Sequence, residues 1–130
     1  MSNRIMKAKT VTFSILDMSL IFSLWGKGKL DRSGVRAAVE INDIFESVLA
    51  ANGELLGKAA RGGEDQGASM DALIEKTETL TLSQSAFDSL ESAVKSHDGW
   101  TCRGARQLLR IEGAFSDAVD TDLEPKKVEE

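Results

Sequence analysis

The sequence predicts an α+β protein that is mainly helical and contains a short two-stranded β ribbon. It predicts a duplicated strand–helix–helix unit with pseudo-two-fold symmetry, because a repeat, two alternating runs and two amphipathic stretches recur in the same order. The repeat sets residues 33–49 over residues 103–119, where four positions are identical. Chance alignment of two amphipathic helices is the alternative explanation, since apolar periodicity alone produces such matches. The identical pairs are Gly34/Gly104, Arg36/Arg106, Ile41/Ile111 and Phe45/Phe115.

Each copy of the repeat begins with a run in which hydroxyl and apolar residues alternate. With one residue of slippage, the run 10–14 aligns with the run 79–83. Alternation with a period of two is typical of a half-buried strand. A lone strand leaves its backbone groups unpaired, so the two strands are expected to pair antiparallel within the chain, or between chains in a homodimer. The inward positions are predicted to be Val11, Phe13, Leu80 and Leu82, and the outward ones Thr10, Thr12, Thr79 and Thr81.

A shorter helix and a longer helix follow each strand. The shorter helices are predicted over residues 16–25 and 84–96, with Ser83 as the N-cap of the second. The longer helices are predicted over residues 33–51 and 102–119, because apolar residues recur there at three- and four-residue steps. Their predicted core stripes include Val35, Ala38, Val39 and Phe45 in the first copy, and Ala105, Leu108, Leu109 and Phe115 in the second.

This organisation predicts one domain over residues 1–119, made of repeats at about 9–51 and 78–119. A helical and glycine-rich connector, residues 52–77, joins the two repeats. Residues 120–130 are rich in Asp and Glu and contain the proline of the chain, so they are expected to form an acidic tail that is solvated or bound to a partner.

The composition excludes several function classes. The chain has 130 residues, a net charge of −5, one His and one Cys. These counts exclude an intrachain disulfide and a zinc site built from Cys and His within one chain. No motif supports His97 or Cys102 as a catalytic group, so a non-enzyme without metal or cofactor is expected.

The run 11–25 is too short and too polar to span a bilayer, so no membrane partner is expected. Basic residues precede it as in a signal peptide, which is the alternative, but Asp17 interrupts the run and no small-residue cleavage site follows. The single Cys favours a reducing compartment, so a cytoplasmic protein is expected, or a virion protein if a phage encodes it.

Two arginine–glycine segments stand where the longer helices are predicted to begin. A helix N-terminus offers free N–H groups, glycine allows close approach, and arginine can bind a phosphate or carboxylate with two parallel hydrogen bonds. These segments are therefore candidates for two equivalent anion- or partner-binding sites; solvated surface arginines are the alternative. The candidate residues are Arg32, Gly34, Arg36, Arg103, Gly104, Arg106 and Arg110.

Trp25 and Trp100 lie near the loop between the two helices of each copy. Tryptophan is enriched at interface hot spots, so both are candidate anchors for a protein partner. The alternative is that each covers the end of a helix in a small core.

The order of strand, helix, glycine-bearing turn and helix resembles the ribbon–helix–helix proteins. In that family the outward residues of the strands read bases in the major groove of DNA. The resemblance implies this role for Thr10, Thr12, Thr79 and Thr81, with Ser14 and Ser83. This sequence departs from the family in its acidity and in the scarcity of Arg, Asn and Gln in its strands. The family also normally builds its ribbon from two chains.

The stretch from Leu80 through Gly99-Trp100 and Gly104-Ala105-Arg106 to Ala118 resembles small accessory proteins encoded by bacteriophages. That resemblance implies a virion component or an inhibitor of a host system.

Three functions follow from the sequence. The first is a non-enzymatic module that binds a protein partner, the second a tandem ribbon–helix–helix-like regulator that binds nucleic acid, and the third an anion- or nucleotide-binding protein that uses the duplicated arginines.

Overall fold

A computed structural model describes residues 6–30, 32–64 and 66–123 of the chain. Within them lie six α-helices and three β-strands, and a 3₁₀ turn precedes each of the helices α2 and α6, at Arg32–Gly34 and Cys102–Gly104. The elements are β1 (Met6–Ser14), α1 (Ile15–Gly26), α2 (Val35–Ala51), α3 (Gly53–Arg61), α4 (Gln66–Glu75), β2 (Thr77–Ser83), α5 (Gln84–Ser96), α6 (Ala105–Ser116) and β3 (Val119–Leu123).

The strands form one antiparallel sheet in the order β2-β1-β3. The prediction of a mainly helical protein with antiparallel β structure is therefore confirmed. In the register of β1 and β2, Val11 pairs with Leu80, and the flanking pairs are Thr10–Thr81 and Thr12–Thr79. Val11 thus lies opposite the residue with which the repeat aligns it.

The sheet differs from the predicted ribbon because it has a third strand. β3 pairs with β1, and most of β3 falls within the predicted acidic tail, residues 120–130. Its acidic side chain Asp120 forms an ion pair of 2.6 Å with Lys9, and Thr121 is hydrogen-bonded to Thr10 at 2.7 Å between their Oγ1 atoms. The acidic charge of this segment predicted a solvated tail. However, Val119 and Thr121 alternate with Asp120 and Asp122, and this pattern is typical of an edge strand whose neighbouring strand carries a basic residue. Residues 124–130 of the predicted tail lie outside the described part.

The two shorter helices agree closely with the prediction. The shorter helices span Ile15–Gly26 and Gln84–Ser96, and Ser83 caps the latter by accepting a hydrogen bond from Ala86 N. The last helix ends at Ser116 and not at residue 119, because the chain turns there into β3. The connector between the copies contains two helices, α3 and α4.

The core lies between the inner face of the sheet and the helices. The four predicted inward residues of β1 and β2 are all buried. Phe115 of α6 anchors this layer, since its ring makes edge contacts with Phe13 at 5.2 Å and with Phe87 at 5.3 Å between centroids. Burying an aromatic side chain of this kind contributes about 1.5–3 kcal/mol. Other fully buried core residues are Ile15, Met18, Ile21, Ile41, Phe45, Leu73, Leu90 and Ile111.

The predicted core stripes of the long helices are partly wrong. Val35 and Val39 on α2, and Leu109 on α6, are exposed. The core side of α2 is formed by Ile41 and Phe45. Two residues along a helix correspond to about 200°, so Val39 faces away from Ile41. α2 and α6 therefore carry apolar residues on two sides, and only one side of each packs against the core.

Candidate interaction site

A groove of about 530 Å³ lies between the C-terminal end of α1, the following loop, α2 and α5. The helices α2 and α5 line it with small or polar residues, so their backbones are open to close approach by a ligand or partner. These residues are Ala38, Asn42, Ser89, Ser92, Ala93 and Ser96.

Trp25 lines the groove and is held in place from two directions. Its Nε1 donates a hydrogen bond of 3.0 Å to Ser89 Oγ on α5, and its ring stacks on Phe22 with centroids 5.8 Å apart. Trp100, the other predicted anchor, is not among the lining residues. It packs against the core and makes an edge contact with His97 at 5.5 Å between centroids. The structure therefore brings one of the two tryptophans to a candidate binding surface.

The loop before α2 and the first turn of α2 carry four cations at or beside the groove. Lys29 lines the groove, and Arg32 and Arg36 flank the lining residue Gly34 in sequence. All three, together with Lys27, are exposed. Within the described part of the chain, none of the four has a side-chain hydrogen bond or an ion pair. We refer to Lys27, Lys29, Arg32 and Arg36 as the basic loop cluster.

The second arginine–glycine segment stands at the equivalent place before α6. Gly104 is the N-cap of α6, as Gly34 is of α2. Glycine has no side chain, so no side-chain acceptor caps the first N–H groups of either helix. Arg103 and Arg106 are exposed. These residues do not line the groove, so the two predicted sites are equivalent in position along the chain but differ in their surroundings.

Arg110 requires a correction, because its guanidinium is bound within the protein. Its Nε donates to Asp17 Oδ2 at 2.6 Å and its Nη2 to Asp17 Oδ1 at 2.7 Å. Gln107 Nε2 donates to the same carboxylate at 3.2 Å. The hydrogen bond to Asp17, helped by the opposite charge and opposed by desolvation, raises the pKa of Arg110. Arg110 therefore stays charged and neutralises a buried carboxylate, which occupies the Nε and Nη2 donors of its guanidinium.

Glu40 occupies on α2 the position that the repeat aligns with Arg110 on α6. Its carboxylate accepts hydrogen bonds from Ser83 N at 2.7 Å and from Ser83 Oγ at 2.6 Å. α2 therefore contacts the beginning of α5 through Glu40, and α6 contacts the first turn of α1 through Arg110. Neither contact was predicted from the sequence. The repeat aligns Glu40 with Arg110, and the opposite charges at this aligned position could have indicated that each residue pairs with a group elsewhere in the chain.

The four predicted strand-face residues come together on the outer face of the sheet. Thr12 Oγ1 lies 2.8 Å from Thr79 Oγ1, and Thr10 Oγ1 lies 3.4 Å from Thr81 Oγ1 and 2.7 Å from Thr121 Oγ1. Thr12, Thr79 and Thr81 are exposed. This threonine face is polar and uncharged, and its hydroxyls already bond to one another across the strands.

An apolar surface adjoins the groove, and sequence reasoning missed it. Val35 and Val39 stand one turn apart on α2, beside the groove-lining residues Gly34 and Ala38, and Leu30 lines the groove from the preceding loop. We call Val35 and Val39 the α2 apolar face. The sequence could have indicated this surface, because α2 contains more apolar residues than the single side of a helix that packs against a core can bury.

Comparison of the chain with protein-family models, curated proteins and solved structures finds no match. The described residues contain no group of three or more His, Cys, Asp and Glu side chains arranged to hold a metal ion. Among the helices described, none combines the length and the apolar character that crossing a bilayer requires.

Proposed function

We propose that this protein is a non-enzymatic interaction module that binds a protein partner through the α2 apolar face. The observation that carries the proposal is the exposure of Leu30, Val35 and Val39, which are 67%, 42% and 54% accessible. Val35 and Val39 lie one turn apart on the same side of α2. Exposed apolar side chains that lie together favour partner binding, because the free energy falls when a partner removes them from water.

The surroundings of the α2 apolar face support this proposal. Protein interfaces combine an apolar centre, an aromatic anchor and a polar rim. Here Trp25 stands in the adjoining groove, and the basic loop cluster lies beside it, with Lys29 in its lining. A module of this kind acts by stoichiometric binding, as an adaptor, a virion component or an inhibitor does. Such a module encoded by a phage would act in the host cytoplasm or in the virion.

Capture of the partner from a nuclease-treated lysate of the source cell tests the proposal. We expect Val39→Glu to abolish capture, because it places a charge on the α2 apolar face. The matched control is Ser47→Glu, an exposed residue two turns further along α2, which should leave capture unchanged. Equal capture by wild type and Val39→Glu would contradict the proposal. Light scattering of the pure protein identifies the case in which the partner is a second copy.

We further propose that the two copies of the strand–helix–helix unit are related by a pseudo-two-fold axis between Val11 and Leu80. The register of β1 and β2 supports this, because it pairs these two aligned residues. The packing supports it as well, since α2 packs on β2 and α6 packs on β1. The contacts of Glu40 and Arg110 with the opposite copy follow the same exchange.

A nucleic-acid-binding regulator is the second candidate, and the threonine face is the observation that favours it. The outward residues of a two-stranded ribbon can enter the major groove, which admits an element of that width. β3 widens the sheet and adds Asp120 beside β1, so we rank this function second. Duplex DNA binding whose affinity falls steeply between 50 and 200 mM salt would support it, as expected for phosphate contacts. Salt-independent or undetectable binding would remove it.

A further inference from the structure

The groove beside the α2 apolar face has a chemistry that specifies its occupant, provided that the proposed protein-binding function holds. The helices on either side contribute Ala, Ser and Asn, whereas Trp25 and Leu30 are the large apolar residues of its lining. The volume of about 530 Å³ falls within the range of roughly 300–1,000 Å³ found for ligand clefts. An occupant can therefore place apolar side chains against Trp25 and Leu30 while its backbone lies near α2 and α5.

Charge distinguishes the loop side of the groove from the α5 side. The segment 27–36 carries four basic residues and one acidic residue, Asp31, which lies outside the described part. The basic loop cluster has no acidic partner among the described residues, although the chain as a whole has a net charge of −5. On the α5 side, Glu91 is already paired with Lys95 at 3.6 Å. Among the described residues, the uncompensated charge of this region is therefore positive and lies on the loop side of the groove.

We infer that the groove binds an acidic peptide segment of a protein partner. The carboxylates of the segment meet the basic loop cluster, and its apolar side chains cover Trp25, Leu30 and the α2 apolar face. Opposite charge at the rim of an interface selects the partner and accelerates association. A nucleic-acid backbone would satisfy the cations but would leave the apolar residues uncovered, which is why a peptide is the better match.

Selection from a random 16-residue peptide display library tests this inference directly. Wild-type protein is the bait, and Ser92→Trp, which fills the groove from an exposed position on α5, serves for counter-selection. Ser47→Trp is the matched control on the opposite side of α2 from Ala38, and it should select the same peptides as wild type. Circular dichroism confirms that each variant is folded. We expect the selected peptides to be net negative relative to the starting library and to contain apolar residues.

The best selected peptide is then titrated against charge-reversal variants. Arg32→Glu combined with Arg36→Glu is expected to weaken binding by about tenfold or more at low ionic strength, and the loss should shrink in 0.5 M salt as charges are screened. Arg61→Glu combined with Lys76→Glu reverses two exposed cations outside the groove and should change binding less than about twofold.

Four outcomes would overturn the inference. The first two concern the selection: the selected peptides are neutral or basic, or Ser92→Trp selects the same peptides as wild type. The third is that Arg103→Glu combined with Arg106→Glu weakens peptide binding as much as Arg32→Glu combined with Arg36→Glu. The fourth is that inorganic phosphate or a 20-base-pair duplex, added at equal charge, displaces the peptide. If partner capture still depends on Val39 while any of these occurs, the protein-binding function stands and only the acidic occupant is wrong.

Discussion

The ion pair between Asp17 and Arg110 yields the sharpest prediction for stability. The Asp17 side chain is 2% exposed and that of Arg110 is 34% exposed, so the carboxylate depends on its protein partners for compensation of its charge. In Arg110→Met, two hydrogen bonds of 2.6 and 2.7 Å disappear and Gln107 at 3.2 Å remains. Removing one partner of a buried pair costs about 3–5 kcal/mol. The partial exposure of Arg110 admits water, so we expect the lower end, about 3 kcal/mol.

Urea denaturation measures this loss, and it corresponds to a decrease in Tm of roughly 10 °C for a domain of this size. Arg106→Met is the matched control one turn earlier on α6, because Arg106 is exposed and has no ion pair in the described part of the chain. It should cost less than about 0.5 kcal/mol. Replacing both partners, as Asp17→Leu with Arg110→Met, should cost less than Arg110→Met alone, because no buried charge is left unpaired. A loss below about 1 kcal/mol for Arg110→Met would refute this reasoning.

Three further changes test other parts of the fold. Glu40→Ala removes both acceptors of Ser83 and should cost about 2 kcal/mol in urea denaturation, whereas Glu40→Gln keeps one oxygen acceptor and should recover part of the loss. Phe115→Ala should cost about 3–5 kcal/mol and Leu109→Ala less than about 0.5 kcal/mol, because only Phe115 is buried; similar losses would contradict the assignment of the core side of α6. Truncation after Ala118 removes β3 and its acidic groups. If the second candidate function is correct, the affinity for duplex DNA should rise; an unchanged affinity at low salt would count against DNA binding by the threonine face.

The local elements of the fold were largely predictable from the sequence. β1 and β2 follow from alternation over a few residues, and α1 and α5 from apolar spacing and the cap Ser83. The threonine face was predictable for the same reason, because a strand sends alternate side chains to opposite faces. β3 was missed, because its acidic residues outweighed a weak alternation and because Lys9, the residue that compensates Asp120, lies far away in the sequence.

The candidate site was only half predictable. The arginine–glycine segments, Trp25 and Trp100 stand out by residue type, yet composition could not distinguish the basic loop cluster, which lies beside a groove, from Arg103 and Arg106, which do not. Arg110 looked like a member of the second segment. Its role depends on Asp17, 93 positions away, and no local pattern reports a contact of that separation.

The sequence by itself determined the order and kind of most elements and the two-residue and 3.6-residue periods that give each element its faces. The tertiary structure alone decided which faces are used. α2 has apolar residues on two sides, and only packing against the sheet and α1 left Val35 and Val39 uncovered and opened the groove beside Trp25. The physical reason is that periodicity arises from backbone geometry within one segment, whereas burial and charge pairing arise between segments that meet only when the chain has folded.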